Sequence, residues 1–171
     1  QYHPIRVKLK GAPKGSQAVH RPGYYSPRPY VELAAEERRL QTAQLLMEGR
    51  EGGALDVSVL ATPFKPASGE PEVMTMVEIE GYSLLRGMRG NQLPTEIFAY
   101  AIDSRGAVAD YLGQVVALDL EKVKAALDSR GFKFMGRLQL GPGDYEVRVL
   151  VRNVLTGATG VRIARVHVPA F

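Results

Sequence analysis

The sequence predicts a mainly all-β fold, an immunoglobulin- or fibronectin type III-like β-sandwich with two short helices and an N-terminal strand extension. Three observations carry that prediction. The first is the stretch Leu138 to Val168. Tyr145, Val147, Val149 and Val151 alternate with Glu146, Arg148 and Arg152, the period-2 pattern of a strand with one buried side. A Thr156-Gly157-Ala158-Thr159-Gly160 turn then leads into a second strand, Val161 to Val168. The second observation is Tyr145 itself, which opens its strand just after a Gly141-Pro142-Gly143-Asp144 corner, where a tyrosine hydroxyl can bond back to the corner backbone. The third is the number and spacing of strand candidates. Seven of them, Leu55 to Phe64, Val73 to Glu80, Thr95 to Asp103, Val108 to Leu118, Lys133 to Leu140, Asp144 to Asn153 and Val161 to Val168, fill section 55–171.

The turns between these strands have the residues turns need. Pro66 to Gly69, Gly87 to Gly90, Asp103 to Gly106 and Gly141 to Asp144 supply the positive-φ and fixed-φ positions. One insertion interrupts the series: Asp119 is an N-cap candidate, Leu120, Val123 and Leu127 share a face, and Gly131 stops the helix. The strand around Glu96 to Ile102 is apolar on both faces, so if one face enters the core, the other, Ile97, Ala99 and Ala101, wants a cover.

Two sections precede the sandwich. Section 1–31 holds strand candidates Ile5 to Lys10 and Gln17 to Arg21, joined by Gly11 to Gly15, which can form a hairpin. It closes in a Pro/Tyr tether, Arg21 to Tyr30, whose prolines forbid helix. Tyr24, Tyr25 and Tyr30 are amphipathic and lose little entropy when held; with Arg28 they are the candidate partner contacts, covering the chain's own core being the other reading of the tyrosines. Section 32–54 is a linker helix, about Ala34 to Glu48, ended by Gly49. Leu33, Ala34, Leu40 and Ala43 or Gln44 form its expected apolar stripe, Glu36 to Arg39 its wet side, and its expected seat is the sandwich.

Composition excludes several kinds of function. With no cysteine, thiolate chemistry and disulfides are impossible. The apolar runs are strand length, well short of the ~20 residues of a membrane-spanning helix, so no span of its own is expected. The net charge of +4 is uneven, because Arg6, Lys8, Lys10, Lys14, Arg21 and Arg28 lie in the first thirty residues with no acid among them. Such an arm can meet phosphate, anionic lipid or an acidic protein surface. Six spread charges make a weak nucleic-acid footprint, however, and alternating Arg6, Lys8 and Lys10 read as the solvated face of an edge strand. The start at Gln1, directly before a strand pattern, is read as a cut or partial precursor.

Tyr2 to Lys10 followed by Val19-His-Arg-Pro-Gly-Tyr-Tyr25 resembles the end of the von Willebrand factor A-related domain in a group of bacterial envelope proteins. The following helix, Leu55 to Phe64, Phe98 to Asp103 and the Pro-Gly-Asp-Tyr145 hairpin are similar to their C-terminal sandwich. The resemblance implies an exported, non-catalytic domain, in the periplasm or at the cell surface, lacking its A domain. Such A domains carry an Asp-x-Ser-x-Ser metal site. Here the nearest match, Asp56-Val-Ser58-Val-Leu60, lacks the last serine and lies in a strand, so no metal residue carries over.

No other chemistry stands out. His3, His20 and His167 are far apart, the glycine pairs lack the Gly-Lys-Ser/Thr ending of a phosphate loop, and Glu78 and Glu80 alternate with Val77 and Ile79 as a solvated strand side. No nucleophile, base and orienting group come together, so no enzyme, cofactor or metal is expected. The expected function is a structural or protein-interaction module, an accessory subunit bracing a larger membrane complex, electron-transfer or photosynthetic. The alternative is a ligand-binding domain of an adhesion-type surface protein, working through sandwich-end loops such as Tyr82 to Leu93.

Overall fold

The computed structural model describes residues 2–13, 15–26, 28–67 and 69–171. The readings that fall on Gln1, Lys14, Pro27 and Ser68 lie outside the described residues. The core of the molecule is two sheets face to face. Strands β4 (Val57–Phe64), β5 (Glu72–Ile79) and β8 (Phe132–Gln139) form one in the order β4-β5-β8. Strands β6 (Gln92–Asp103), β7 (Val108–Asp119), β9 (Gly143–Asn153) and β10 (Thr159–Val168) form the other, extended at one edge by the two-residue β3 (Gly52–Gly53), in the order β3-β10-β9-β6-β7. Setting β3 aside, this is the seven-strand, two-sheet antiparallel arrangement expected of an immunoglobulin-like sandwich.

Alternation assigns each strand its inner residues. Val57 from β4, Val73, Val77 and Ile79 from β5, Leu138 from β8, and Val147, Val149 and Val151 from β9 meet in one cluster between the sheets, all essentially buried. Each such side chain contributes about 1.5–3 kcal/mol of transfer free energy. Tyr145 packs against this core while its hydroxyl donates to the Gly141 carbonyl at 3.1 Å, pinning the corner as the sequence predicts. Helix α3 (Leu120–Arg130) joins β7 to β8; the Asp119 carboxylate accepts from the Glu121 N–H, and Gly131 closes the helix at φ 66.

A short helix unforeseen in the sequence, α2 (Gly81–Leu85), sits beside α3. Glu80 starts it by accepting from the Tyr82 and Ser83 N–H groups at 2.9 and 2.6 Å, which holds its carboxyl below the usual carboxylate range. Glu80 is therefore an N-cap and not one of two carboxylates on a strand. Gly81 is required there, because a Cβ would lie 2.0 Å from the Leu127 carbonyl oxygen of α3.

Helix α1 (Ala35–Glu48) packs on the outer face of the larger sheet over β9, as expected, and Gly49 ends it in the left-handed conformation. The face it presents differs from the expected stripe. Thr42 and Leu46 are buried while Leu40 is exposed, because the sheet below offers Arg152 and Leu150 in place of a purely apolar floor. The parity of β6 also differs. Ile97, Ala99 and Ala101 point into the inter-sheet core, and Glu96, Phe98 and Tyr100 form the second face near the helix. Both faces of β6 are apolar enough that alternation alone does not rank them.

The N-terminal hairpin exists but is displaced outward. β1 (Tyr2–Pro4) pairs with β2 (Gly23–Tyr25) in the register Tyr2 to Tyr25, His3 to Tyr24 and Pro4 to Gly23. The described residues of 5–10 and 17–21, where strands were expected, are irregular and exposed. A lone two-stranded ribbon with no third strand or helix on its face has little to hold it together, and only the end secured by aromatic contacts is paired.

Candidate interaction surface

The structure separates the four predicted contact residues. Tyr24 and Tyr25 stand on the ribbon, 57% and 76% exposed, whereas Tyr30 is 8% exposed. Tyr24 stacks on His3 with ring centroids 5.0 Å apart, and Tyr25 lies 5.1 Å from Tyr2 at a tilt of 56°. His3 Nε2 is 2.6 Å from the Ser26 hydroxyl, which ties the ribbon to the start of the tether. Cross-strand aromatic pairs of this kind add about 0.2–1 kcal/mol each. They fix the ribbon and leave its tyrosine edges outward.

Tyr30 is committed to the chain itself, which corrects the expectation for it as a partner contact, whereas Arg28 stays at the surface in an exposed ion pair. Arg28 pairs with Glu37, whose other oxygen accepts from the Ala34 N–H at 2.9 Å at the start of α1. The Ala34 N–H and then Arg28 hold the Glu37 carboxyl below its ordinary range. Tyr30 opens a 3-10 turn, Tyr30–Glu32, and drops into the space between α1 and the sheet. Its hydroxyl donates to Glu96 Oε2 at 2.7 Å and accepts from Arg152 Nη1 at 2.7 Å; Arg152 Nη1 also reaches Thr42 Oγ1 at 2.9 Å and Glu96 Oε2 at 3.0 Å. The Arg152 guanidinium lies over the Tyr30 ring, 4.1 Å from its centroid.

This group seals the covered side of the sandwich. Arg152 and Glu96 form an ion pair with side chains 1% and 11% exposed, so each charge depends on the other for its solvation. Burial, and then the hydrogen bond to Glu96, push the Tyr30 hydroxyl above its ordinary pKa. A shallow cavity of about 290 Å³ opens beside the group, between Arg38 and Arg39 of α1 and the Phe98 and Tyr100 rings. The internal hydrogen bonds of Tyr30, Glu96, Thr42 and Arg152 make this a structural lock. Arg152 was expected on the outer side of its strand and is there, but a helix covers it.

The opposite outer face is bare. On the three-stranded sheet Leu60 pairs with Met76, and Met76 pairs with Met135, so the three form one row across all the strands. They are 56%, 44% and 66% exposed. Ion pairs bound the row on both sides, Lys133 with Glu78 at 3.6 Å and Arg137 with Glu72 at 3.5 Å. A shallow groove of about 340 Å³ runs along it, floored mainly by apolar atoms. Each residue occupies an outward position that alternation already marks, but their alignment depends on strand register, which a single sequence does not display. These are the residues that sequence reasoning missed.

The remaining polar candidates stay apart. Asp56 and Ser58 lie at the start and on the outer side of β4, with no third oxygen ligand beside them in the expected motif. His20 bonds the Arg21 carbonyl and His167 lies 2.7 Å from Asp144. Among the described residues no group of three His, Cys, Asp or Glu could hold a metal ion, and no helix is long and apolar enough to cross a membrane.

No family model matches the chain, and no curated protein matches it. Among solved structures it is similar to a β-glucuronidase from glycoside hydrolase family 2, with TM-score 0.36 and 15% identity over 66% of this chain and 11% of that one. It is also similar to the Bacteroides uniformis β-glucuronidase, with TM-score 0.37 and 13% identity over 67% of this chain and 13% of that one. This chain thus spans only a small fraction of those enzymes' length.

Proposed function

We propose that the chain is a non-catalytic, extracytoplasmic structural and protein-interaction module, an accessory subunit that braces a larger membrane complex. The observation that carries this reading is the uncovered Leu60–Met76–Met135 row on a sheet whose companion sheet has its outer face covered by a helix. A contiguous apolar strip framed by charged pairs has the make-up of an interaction site on a protein surface. Tyr24 and Tyr25 supply a second set of contacts on the ribbon, amphipathic and already held in place by their aromatic neighbours. Placement outside the cytoplasm rests on the resemblance to von Willebrand factor A-related envelope proteins.

The test returns a tagged chain to its source cells and separates gently solubilised membranes and the soluble fraction on native gels. Wild type is expected to co-migrate at fixed stoichiometry with one membrane complex, and a Met76→Lys/Met135→Lys variant to run free. Recovery of wild type only as a free species overturns the reading.

A further inference from the structure

Three of the chain's five methionines share one outer sheet face. Val73, Thr75 and Val77 of β5 are buried in the core, so Met74 and Met76 point outward, the first half-buried and the second exposed. Strand register sets Met76 opposite Met135 of β8 and Met74 opposite Arg137, which makes Met74 and Met135 diagonal neighbours. Cross-strand partners hold their Cβ atoms about 4.5–5.5 Å apart, and diagonal ones at about 7–8 Å are still within reach of long side chains. Three thioethers on unbranched, flexible side chains can therefore meet at one point above β5 and β8. The other two methionines stand apart, Met47 on α1 and Met88 with its sulfur accepting from Asn153 Nδ2 at 3.1 Å.

The donor set selects its ion. A thioether is a neutral, soft ligand that suits Cu(I), whereas magnesium and calcium require oxygen. Zinc takes thiolate, imidazole or carboxylate. The chain has no cysteine, and His3, His20 and His167 lie outside β4, β5 and β8. The carboxylates on this face are engaged, Glu78 with Lys133 and Glu72 with Arg137. Those two pairs cancel in charge, so selection falls to the sulfurs. Leu60 borders the same groove as Met76 and Met135 and keeps that side apolar, which favours an ion of single charge over one of double charge. Leu60 also shows that leucine is accommodated in this row, so an outward apolar surface alone does not call for sulfur.

We propose that Met74, Met76 and Met135 form a three-thioether site for Cu(I) on the outer face of the three-stranded sheet. Met76 and Met135 supply the pair that register brings together across the strands, and Met74 closes the triangle from the strand of Met76. The ion enters from solvent, since Met76 and Met135 are exposed. This site goes beyond the accessory-subunit reading and does not rest on it, although the two share a face. Docking needs the row to be apolar, and the metal needs it to carry sulfur; leucine meets the first requirement and not the second.

The purified full chain is titrated anaerobically in a calorimeter with Cu(I) supplied as its acetonitrile complex, and the loaded chain is examined by X-ray absorption. The expected result is saturation at one Cu(I) per chain and a spectrum fitted by sulfur ligands. Met74→Leu, Met76→Leu and Met135→Leu should each weaken binding at least about tenfold, the loss that removing even an outer-sphere partner produces. Met47→Leu should leave it unchanged. Leucine is close to methionine in volume, so thermal unfolding should stay in place in every variant, and lost binding is then a lost ligand and not a lost fold. Absence of saturable binding, a spectrum of nitrogen and oxygen ligands, or wild-type affinity in Met76→Leu or Met135→Leu each overturns the proposal. The leucine variants keep the row apolar and are expected to co-migrate with a membrane complex as wild type does, so failure of that reading and failure of this one are separate results.

Discussion

The two outer faces of the sandwich have solved the same problem differently. Over β9 and β6, helix α1 and the Tyr30 turn cover the sheet, and underneath lie a buried Arg152–Glu96 pair, Thr42 and the Leu46–Leu150–Val161 cluster. Over β4, β5 and β8 no described residues are laid down, and apolar side chains face outward between surface ion pairs. The covered face holds the polar network and the uncovered one the apolar row. Polar groups are tolerated below α1 because Tyr30, Thr42 and Glu96 all bond the Arg152 Nη1 and the charges of Arg152 and Glu96 offset each other, whereas among the described residues none covers the apolar row on the other sheet. The contrast separates a face built for internal stability from one available to another molecule.

The sharpest way to break the contrast is to remove one charge from the covered side. Arg152→Ala leaves Glu96 buried without its cation and should cost about 3–5 kcal/mol, read as a large fall in urea midpoint. Arg152→Met combined with Glu96→Leu should recover most of that loss, because the uncompensated charge is gone. Tyr30→Phe removes one hydroxyl from the network and should cost about 1–3 kcal/mol in the same assay. Substituting all three tether tyrosines together would mix this loss with any effect on binding, so Tyr24 and Tyr25 are best changed without Tyr30.

Titration sharpens the same contrast. The folded state holds the Tyr30 proton more tightly than the unfolded chain, so its contribution is fully present below the ordinary tyrosine pKa of about 10 and is lost as pH rises through the raised value. Alkaline unfolding followed by tyrosine absorbance should show it, and Tyr30→Phe should remove that step. The smallest effect is expected on the bare face. Met76→Lys with Met135→Lys should move stability by no more than about 0.5 kcal/mol per site in thermal unfolding. A large loss there would show that the row supports the fold instead of presenting a surface.

Much of the architecture is legible in the sequence because its signals are local. The strands of the sandwich follow from alternation and Gly/Pro punctuation, and the Tyr145 corner and the Asp119–Gly131 limits of α3 from residue types at fixed offsets. What escaped depends on partners distant in sequence. The seat of α1 is chosen by Arg152, more than a hundred residues away, so an apolar stripe drawn from the helix alone selects the wrong side. β6 is ambiguous for a related reason, since both faces are buried. The glutamate cap of α2 lies outside the usual Ser/Thr/Asp/Asn set. Of the interaction surface, Tyr24 and Tyr25 were visible as exposed aromatics in a proline-rich stretch, whereas Leu60, Met76 and Met135 become one feature only when three strands take their register.

Helix α1 is also held at its two ends. At the start, the Arg38 guanidinium donates to the Leu33 and Val31 carbonyls at 3.0 and 2.7 Å, tying the helix to the turn that Tyr30 fixes to the sheet through Glu96 and Arg152. At the finish, Arg148 Nη1 donates to the Leu46 and Met47 carbonyls at 3.1 and 2.8 Å while Glu146 steadies the same guanidinium at 2.8 Å. Apolar contact alone would let a helix slide along a sheet by a fraction of a turn with little penalty. Arg148 grips carbonyls that are free only where the helix stops, so it locates an end and not a surface. The helix therefore behaves like a bolt seated at both heads: its length, as much as its amphipathic face, determines whether it fits, and inserting a single residue between Arg38 and Gly49 would put one of the two seats out of reach.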